Sequence, residues 1–475
     1  MTDETKKKTF LGFDFSTQRL KALVIGEDYG VLHEANVEFD SDLPEFRTAG
    51  GVLRGQQRGE VTAPPLLWVK ALDMVMDMLV VAGVDFSTIE ALSGAAQQHG
   101  SVWWSKDCES KLASLSPDEF LHTQLATAFV TNSPVWMDSS TTADCRALEE
   151  AVGGPEELAR ITGSTAYERF TGPQIRKMYR SRERAYRAAA RISLVSSFAC
   201  SLFLGRVAPI DYSDGSGMNL LDIHSKKWDE KALKACGDDT LESKLGSPVP
   251  TASVLGTISP YFVQRYGFRP DCRVVAFTGD NNSALAGLRL RAGWVGLSLG
   301  TSDTLLCGLS RVCVAGIYLD TAEITPRVRA GRHEEDAAGR AGRAARLPGA
   351  AYEARALLEG QALGRRLHAA DAGLALDSSS RVVATGGASV NKELLQIFAD
   401  VFNTPVYVQN EHANAALLGA AIRAADVWSA DTGIKLSGSE PSVSPVATPY
   451  PDHDQIYKPM MARYRQMIAT FPKLE

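Results

Sequence analysis

The stretch Ala276 to Gly287, AFTGDNNSALAG, puts a single carboxylate, Asp280, between a glycine and two asparagines. An apolar run precedes it and a helix-forming run of small residues follows. An acid at such a junction has two uses. It can cap the helix by accepting a backbone N–H and complementing the positive end of the helix dipole. It can also serve as a general base mounted on a rigid edge. Three polar turns stand out elsewhere. Asp14-Phe15-Ser16-Thr17 and Gly300-Thr301-Ser302 each interrupt a pair of apolar, strand-like runs. Gly386-Gly387-Ala388 lies between a short apolar run and a helix that Asn391 opens. There the glycines permit close backbone approach and the helix start offers unpaired N–H groups, which suits a nucleotide. The spacing is not G-x-G-x-x-G, so a dinucleotide fold is a poor fit. Taken alone, His99 in QQHG reads as a hydrogen-bonded interior histidine and Arg169 in YERF as an ordinary ion-pair arginine.

The elements that must carry these residues follow from periodicity. Phe10 to Ile25 reads as two strands around the Ser-Thr-Gln turn, and VLHEANVEF as a third. LLWVKALDMVMDMLVVAG has helical spacing, and the sequence returns to strand through IEALSGAAQQHGSVWW. Tyr186 to Leu204 reads as one helix, and PYFVQRYGF as a shorter one ending near Gly267. GWVGLSLGTSDTLLCGLS repeats the strand, polar turn, strand pattern of the N-terminus. In the helix after the double glycine, Leu394, Leu395, Phe398, Val401 and Phe402 share one face, and Pro405 follows its end. Alternating strands and helices make an α/β protein, and the two hairpins suggest a duplicated architecture.

Composition bounds the function. The chain has 475 residues, 45% hydrophobic and 22% charged, which suits two or more ordinary globular domains. A net charge of −6 gives no general attraction to nucleic acid or an anionic membrane. The N-terminal apolar run is broken by Asp14, and no stretch reaches the length of a membrane span. Seven scattered cysteines without a C-x-x-C pair argue against a disulfide framework or structural zinc, so a cytoplasmic location is expected.

The ordered set of motifs resembles the FGGY family of carbohydrate kinases, within the actin-like ATPase superfamily, and its xylulose-kinase branch in particular. ALSGAAQQHGSVWW, TGSTAYERFTGPQI, PIDYSDGSGMNLLDI, VVAFTGDNNSALAG, LSLGTSDTL and ATGGASVNKE carry that resemblance along almost the whole chain. It implies two actin-like (ribonuclease H-like) α/β domains, each with a five-stranded mixed sheet, facing a central cleft. The N-terminal domain would span 1–270 with the sugar site and first phosphate hairpin; the C-terminal one would span 271–475. The activity implied is ATP-dependent phosphorylation of D-xylulose to D-xylulose 5-phosphate. Ribulose, gluconate or glycerol are the alternative acceptors. Asp280 would be the base, and His99, Arg169, Asp280 and Asn281 would bind the sugar. Ser16, Thr17, Gly300, Thr301, Ser302, Gly386, Gly387 and Asn391 would bind ATP, and Asp14 would help hold Mg2+. No nucleic-acid or membrane partner is implied, and the protein would be a monomer or homodimer.

One region departs from the family. After Leu309 the chain is roughly 60 residues shorter than the resemblance requires, far beyond trimming a connection of about 2–8 residues. RVCVAGIYL would stand in as a third strand of the second domain, and the Ala/Arg/Gly-rich segment after it reads first as loop and then as helix. Lost packing layers expose apolar surface, so this chain is expected to be less stable than full-length relatives and to have weak or no kinase activity; a truncated, non-catalytic sugar-binding form is the alternative.

Overall fold

The computed structural model describes residues 7–290, 294–299, 303–307, 334–335, 341–342, 349–371, 373–374, 376–377, 380–409, 414–438 and 443–470. The chain forms two compact units. The first comprises Met1–Gly287 and Ala415–Glu440, the second Leu288–Asn414 and Pro441–Glu475.

The first unit is built on a seven-stranded sheet. Strands β1 (Thr9–Phe15), β2 (Arg19–Gly26) and β3 (Val31–Glu38) form an antiparallel meander, as the sequence pattern predicts. Beside β1 runs β4 (Ile89–Ala96), in parallel. β5 (Val254–Thr257) is the antiparallel edge on β6 (Arg273–Val275), which is parallel to β4. The short β7 (Thr278–Gly279) also pairs with β4. Two strands beyond the expected five arise because β5 extends the edge and the chain bends after β6 to re-pair as β7.

Every residue of β1 and β4 is buried, as a central strand covered on both faces requires. Successive side chains alternate between faces. Leu11, Phe13 and Phe15 join the larger core with helices α1 (Pro65–Val81) and α2 (Val195–Leu204), where Phe13 meets Phe203 at 4.7 Å between ring centres. Phe10, Gly12 and Asp14 therefore occupy the opposite face, where Phe10 meets Trp428 of a helix from the far end of the sequence at 5.5 Å.

That helix, α6 (Ala415–Thr432), crosses α3 (Asp280–Leu288) at a pair of glycines. A Cβ on Gly287 would lie 2.0 Å from the Ala415 carbonyl oxygen, and one on Gly419 would lie 1.8 Å from that of Ser283. Backbone touches backbone, so only glycine fits. These contacts, with β7 pairing, bring residues 271–287 and 415–440 into the first unit, whereas the sequence division places them after a break at 270. Asp280 thus belongs by packing to the first unit.

A second core in this unit surrounds Trp103, Ile175, Tyr186 and Ile192. The single helix expected over 186–204 is interrupted here: Arg191–Leu194 is extended and pairs with Ser101–Trp104. The Trp104 indole donates to Ser193 Oγ at 2.9 Å. Cross-strand pairing overrides local helical preference.

The second unit holds a five-stranded sheet. β8 (Trp294–Leu299) and β9 (Asp303–Cys307) form the expected hairpin, and β8 is parallel to β10 (Arg381–Thr385), which is parallel to β11 (Val406–Gln409). β12 (Val443–Ala447) closes the edge antiparallel to β11. Hairpin, two parallel strands and an antiparallel edge recur in both units, which is the duplication suggested by the sequence. Helices α4 (Ala350–Asp371), α5 (Lys392–Phe402) and α7 (His453–Thr470) accompany the sheet, whose core includes Leu297, Val382, Leu395, Phe398 and Phe402. The substitute third strand, Gly300, Thr301 and Ser302 lie outside the described residues. Among the described residues, no helix is long and apolar enough to cross a membrane.

Candidate active site

Sheet register alone gathers most of the first unit's chemistry. Asp14 of β1 and Thr278 of β7 both pair with Ala95 of β4, from opposite sides. The three strands run parallel, so their C-terminal ends open at one edge, where ligands of open α/β sheets gather. Asp14, the segment Gln97-Gln98-His99 and Asp280 stand at that edge.

Asp280 is the first residue of α3 and is only partly covered. Its Oδ1 accepts the Asn281 backbone N–H at 2.8 Å, so it does engage the helix start. Burial, then the nearby Asp14 charge, push its pKa up to about 7, against backbone hydrogen bonds from Asn281 and Gln98. A carboxylate balanced near neutrality is suited to accept a proton from a bound alcohol.

Asp14 is buried. Ser16 Oγ donates to its Oδ2 at 2.6 Å, while Oδ1 is buried with no hydrogen-bond partner. Burial raises its pKa, and Lys21, Ser16 and Arg19 pull in the other direction. An orphaned carboxylate oxygen beside a second carboxylate asks for a cation. The donor set fits Mg2+, which takes hard oxygen ligands, commonly one or two carboxylates with substrate phosphates and water. Among the described residues there is no group of three or more His, Cys, Asp or Glu side chains that could hold a metal ion.

His99 follows β4 with a left-handed backbone, φ 69°. Its Nδ1 lies 3.0 Å from the Gly217 carbonyl oxygen and must donate to it, which makes Nε2 the acceptor of the neutral ring. Burial, then the charge of Arg169, push its pKa down to about 3. Its ring packs 4.6 Å from that of Phe170. Arg169 also has aromatic neighbours that its sequence context does not reveal. Its guanidinium lies 4.7 Å from the Tyr167 ring centre and 5.3 Å from that of Trp136, contacts each worth about 0.5–2 kcal/mol. The Trp136 indole N–H donates to Thr17 Oγ1 at 2.8 Å, so one side chain touches both the first polar hairpin and the arginine.

Three further residues escape sequence reasoning. Gln98 sits inside a quoted motif, and its Oε1 accepts from Asn281 Nδ2 at 2.7 Å. Asp211 and Asp214 lie in the quoted DYSDGSG, where they look like turn formers. Both are buried: the Thr278 hydroxyl donates to Asp211 at 2.9 Å and the Ser196 hydroxyl to Asp214 at 2.5 Å. Burial, then the neighbouring Asp211 charge, hold the Asp214 pKa well above the usual carboxylate range. A quoted aspartate gives no sequence sign of burial, which only the fold supplies.

In the second unit, Gly386 follows β10 with φ 90°, and Gly387–Val390 form a tight turn before α5. Asn391 caps α5, its side-chain oxygen accepting the Leu394 N–H at 3.1 Å, which leaves its amide N–H groups for a ligand. Gly300, Thr301 and Ser302, expected in the second hairpin, are not among the described residues.

The model of the FGGY family of carbohydrate kinases, N-terminal domain, matches residues 122–287, and the C-terminal domain model matches 345–428. The first match ends at the boundary found by packing. A xylulose kinase of Rattus norvegicus is 44% identical over 529 aligned positions, covering 98% of this chain and 98% of the relative. That span exceeds the chain's 475 residues, so the alignment carries gaps on this chain's side. Among solved structures, a xylulose kinase from Rhodospirillum rubrum has a TM-score of 0.75 at 17% identity, covering 98% of each chain. Plasmodium falciparum glycerol kinase with ADP has a TM-score of 0.72 at 17% identity, covering 98% of this chain and 99% of the other.

Proposed function

The chain belongs to the FGGY family of carbohydrate kinases, and from that premise we propose that it transfers the γ-phosphoryl group of ATP to D-xylulose, giving D-xylulose 5-phosphate. The observation that carries the chemical part is Asp280: a carboxylate with its pKa near 7, at the parallel-strand edge, next to Asn281.

An alcohol is too weak an acid to ionise before attack. Asp280 orients the terminal hydroxyl of the ketose and accepts its proton late, while the phosphoryl group passes through a loose transition state. Asn281, Arg169 and the neutral His99 hold the other oxygens of the sugar. Arg169 donates, and His99 Nε2 accepts from a hydroxyl. Flanked by Tyr167 and Trp136, the guanidinium keeps its plane without an ordering cost at the moment of binding. Asp14 holds Mg2+, whose positive charge, when it is bound, offsets the negative charge on the phosphate oxygens. Ser16 and Thr17 supply donors to those oxygens on the first unit. Gly300, Thr301, Ser302, Gly386, Gly387 and Asn391 supply the nucleotide contacts of the second.

A coupled ADP-release assay with D-xylulose, ribulose, gluconate and glycerol tests this reading. Turnover that depends on D-xylulose and is at least tenfold faster than with the others supports it. ATP hydrolysis indifferent to every sugar overturns it. The gapped alignment favours a second reading, a form that binds the sugar without turnover. D-xylulose binding by calorimetry with no ADP produced selects that reading.

A further inference from the structure

Gln98 is buried directly against the residues assigned to the sugar, yet it has no part in the reaction described above. The two ends of its amide face different neighbours. Oε1 accepts from Asn281 Nδ2 at 2.7 Å. The opposite end, Nε2, is turned toward Gly279 on the side where Asp214 lies. Its backbone N–H also stabilises the Asp280 carboxylate. Gly279 makes this arrangement possible. A Cβ at that position would fall 2.5 Å from Gln98 Cγ, 2.7 Å from Nε2 and 2.8 Å from Asp214 Oδ1. The Gln98 side chain thus lies across the end of β7, on the strand that delivers Asp280.

Asn281 Nδ2 and Gln98 Oε1 are matched as donor and acceptor, so turning either amide alone would set NH2 against NH2 or oxygen against oxygen. Gln98 therefore sets the orientation of the Asn281 amide. With one Nδ2 hydrogen given to Gln98, Asn281 presents its carbonyl oxygen, beside the second Nδ2 hydrogen, to a ligand.

We propose that Gln98 is a positioning residue for the acceptor sugar: by accepting from Nδ2 it holds the Asn281 amide so that Oδ1 accepts a sugar hydroxyl beside the Asp280 carboxylate. This rests on the reading of Asn281 as a sugar-binding residue.

A double-mutant cycle in the full chain tests it, with the dissociation constant of D-xylulose measured by calorimetry for wild type, Gln98→Leu, Asn281→Ala and the double variant. The expected result is a loss on the order of tenfold for Gln98→Leu, shrinking below about twofold in the Asn281→Ala background, because the effect runs through that amide. ADP affinity, which a merely structural defect would also disturb, stays within about twofold of wild type. Gln98→Met, unbranched and of similar length, serves as the second variant if the leucine form does not fold. Equal losses in both backgrounds, or no loss at all for Gln98→Leu, overturn the proposal while the sugar-site reading stands. An Asn281→Ala variant that binds D-xylulose as wild type does overturns the sugar-site reading, and the proposal with it.

Discussion

Replacing Asp280 by asparagine should weaken catalysis and strengthen the fold at once, and the two effects carry different pH signatures. A carboxyl group whose pKa is about 3.8 when unfolded and about 7 when folded binds more protons in the folded state between those values. Ionisation of the folded protein therefore costs nothing below pH 3.8, grows by about 1.4 kcal/mol per pH unit up to 7, and is constant above. That is about 1.6 kcal/mol at pH 5 and about 4 kcal/mol at pH 8, both ceilings because solvent reaches part of the side chain and screens the charge. The amide keeps the size and the acceptor for the Asn281 N–H while removing the charge. Asp280→Asn should then melt above wild type at pH 8 and clearly less so at pH 5, by thermal shift in matched buffers. Its phosphoryl transfer to D-xylulose should fall by about 10²–10⁴ in kcat at saturating ATP, the usual weight of a general base. Wild-type kcat/KM should fall about tenfold per pH unit below 7, since only the ionised form accepts the proton. A variant that keeps more than a tenth of wild-type turnover, or a stability gain that is larger at pH 5 than at pH 8, refutes the reasoning.

The other predictions concern the neighbours of this acid. Asp14→Asn removes the carboxylate whose Oδ1 has no hydrogen-bond partner, so the Mg2+ concentration for half-maximal rate should rise several-fold; an unchanged Mg2+ dependence contradicts the placement. His99, with its pKa pushed down to about 3, should stay neutral from pH 5 to 8, and an NMR titration that finds it protonating above pH 6 would exclude its role as an acceptor. Gly419→Ala drives a Cβ into the Ser283 carbonyl at 1.8 Å and should destabilise the first unit by about 1–3 kcal/mol, read as a lowered melting temperature; an unchanged melt would mean that the α3–α6 crossing is loose.

Much of this organisation is written in local pattern. The alternation around Asp14 yields β1 and β2, Asn391 yields the cap of α5, and Gly267 yields a helix end with a left-handed C-cap. What the pattern hides is long-range. Arg191–Leu194 becomes a strand only because Ser101–Trp104 is there to pair with it. The α6 segment reads as an ordinary small-residue helix, and nothing local tells that Gly419 meets Gly287 or that Phe10 finds Trp428. In the site, the types of Asp280, Asn281, His99 and Arg169 draw attention by their motifs. Gln98 and Asp214 do not, because their weight comes from burial and from which partner each end of an amide faces. Arg169 shows the same limit: its charge is visible in sequence, but the two aromatic rings around it are set by residues 2 and 33 positions away in the chain, Tyr167 and Trp136.

The helix that covers Gly12 and Phe10 lies some four hundred residues downstream of them. As the polypeptide leaves the ribosome, one side of the earliest sheet must wait, apolar and uncovered, until Ala415–Thr432 has been made. Folding of the first unit is thus completed late in synthesis, and any product ending before that helix is left with a sticky face suited to chaperones or to aggregates. Growth of the chain and closure of its first core are locked into that order by one crossing of small residues.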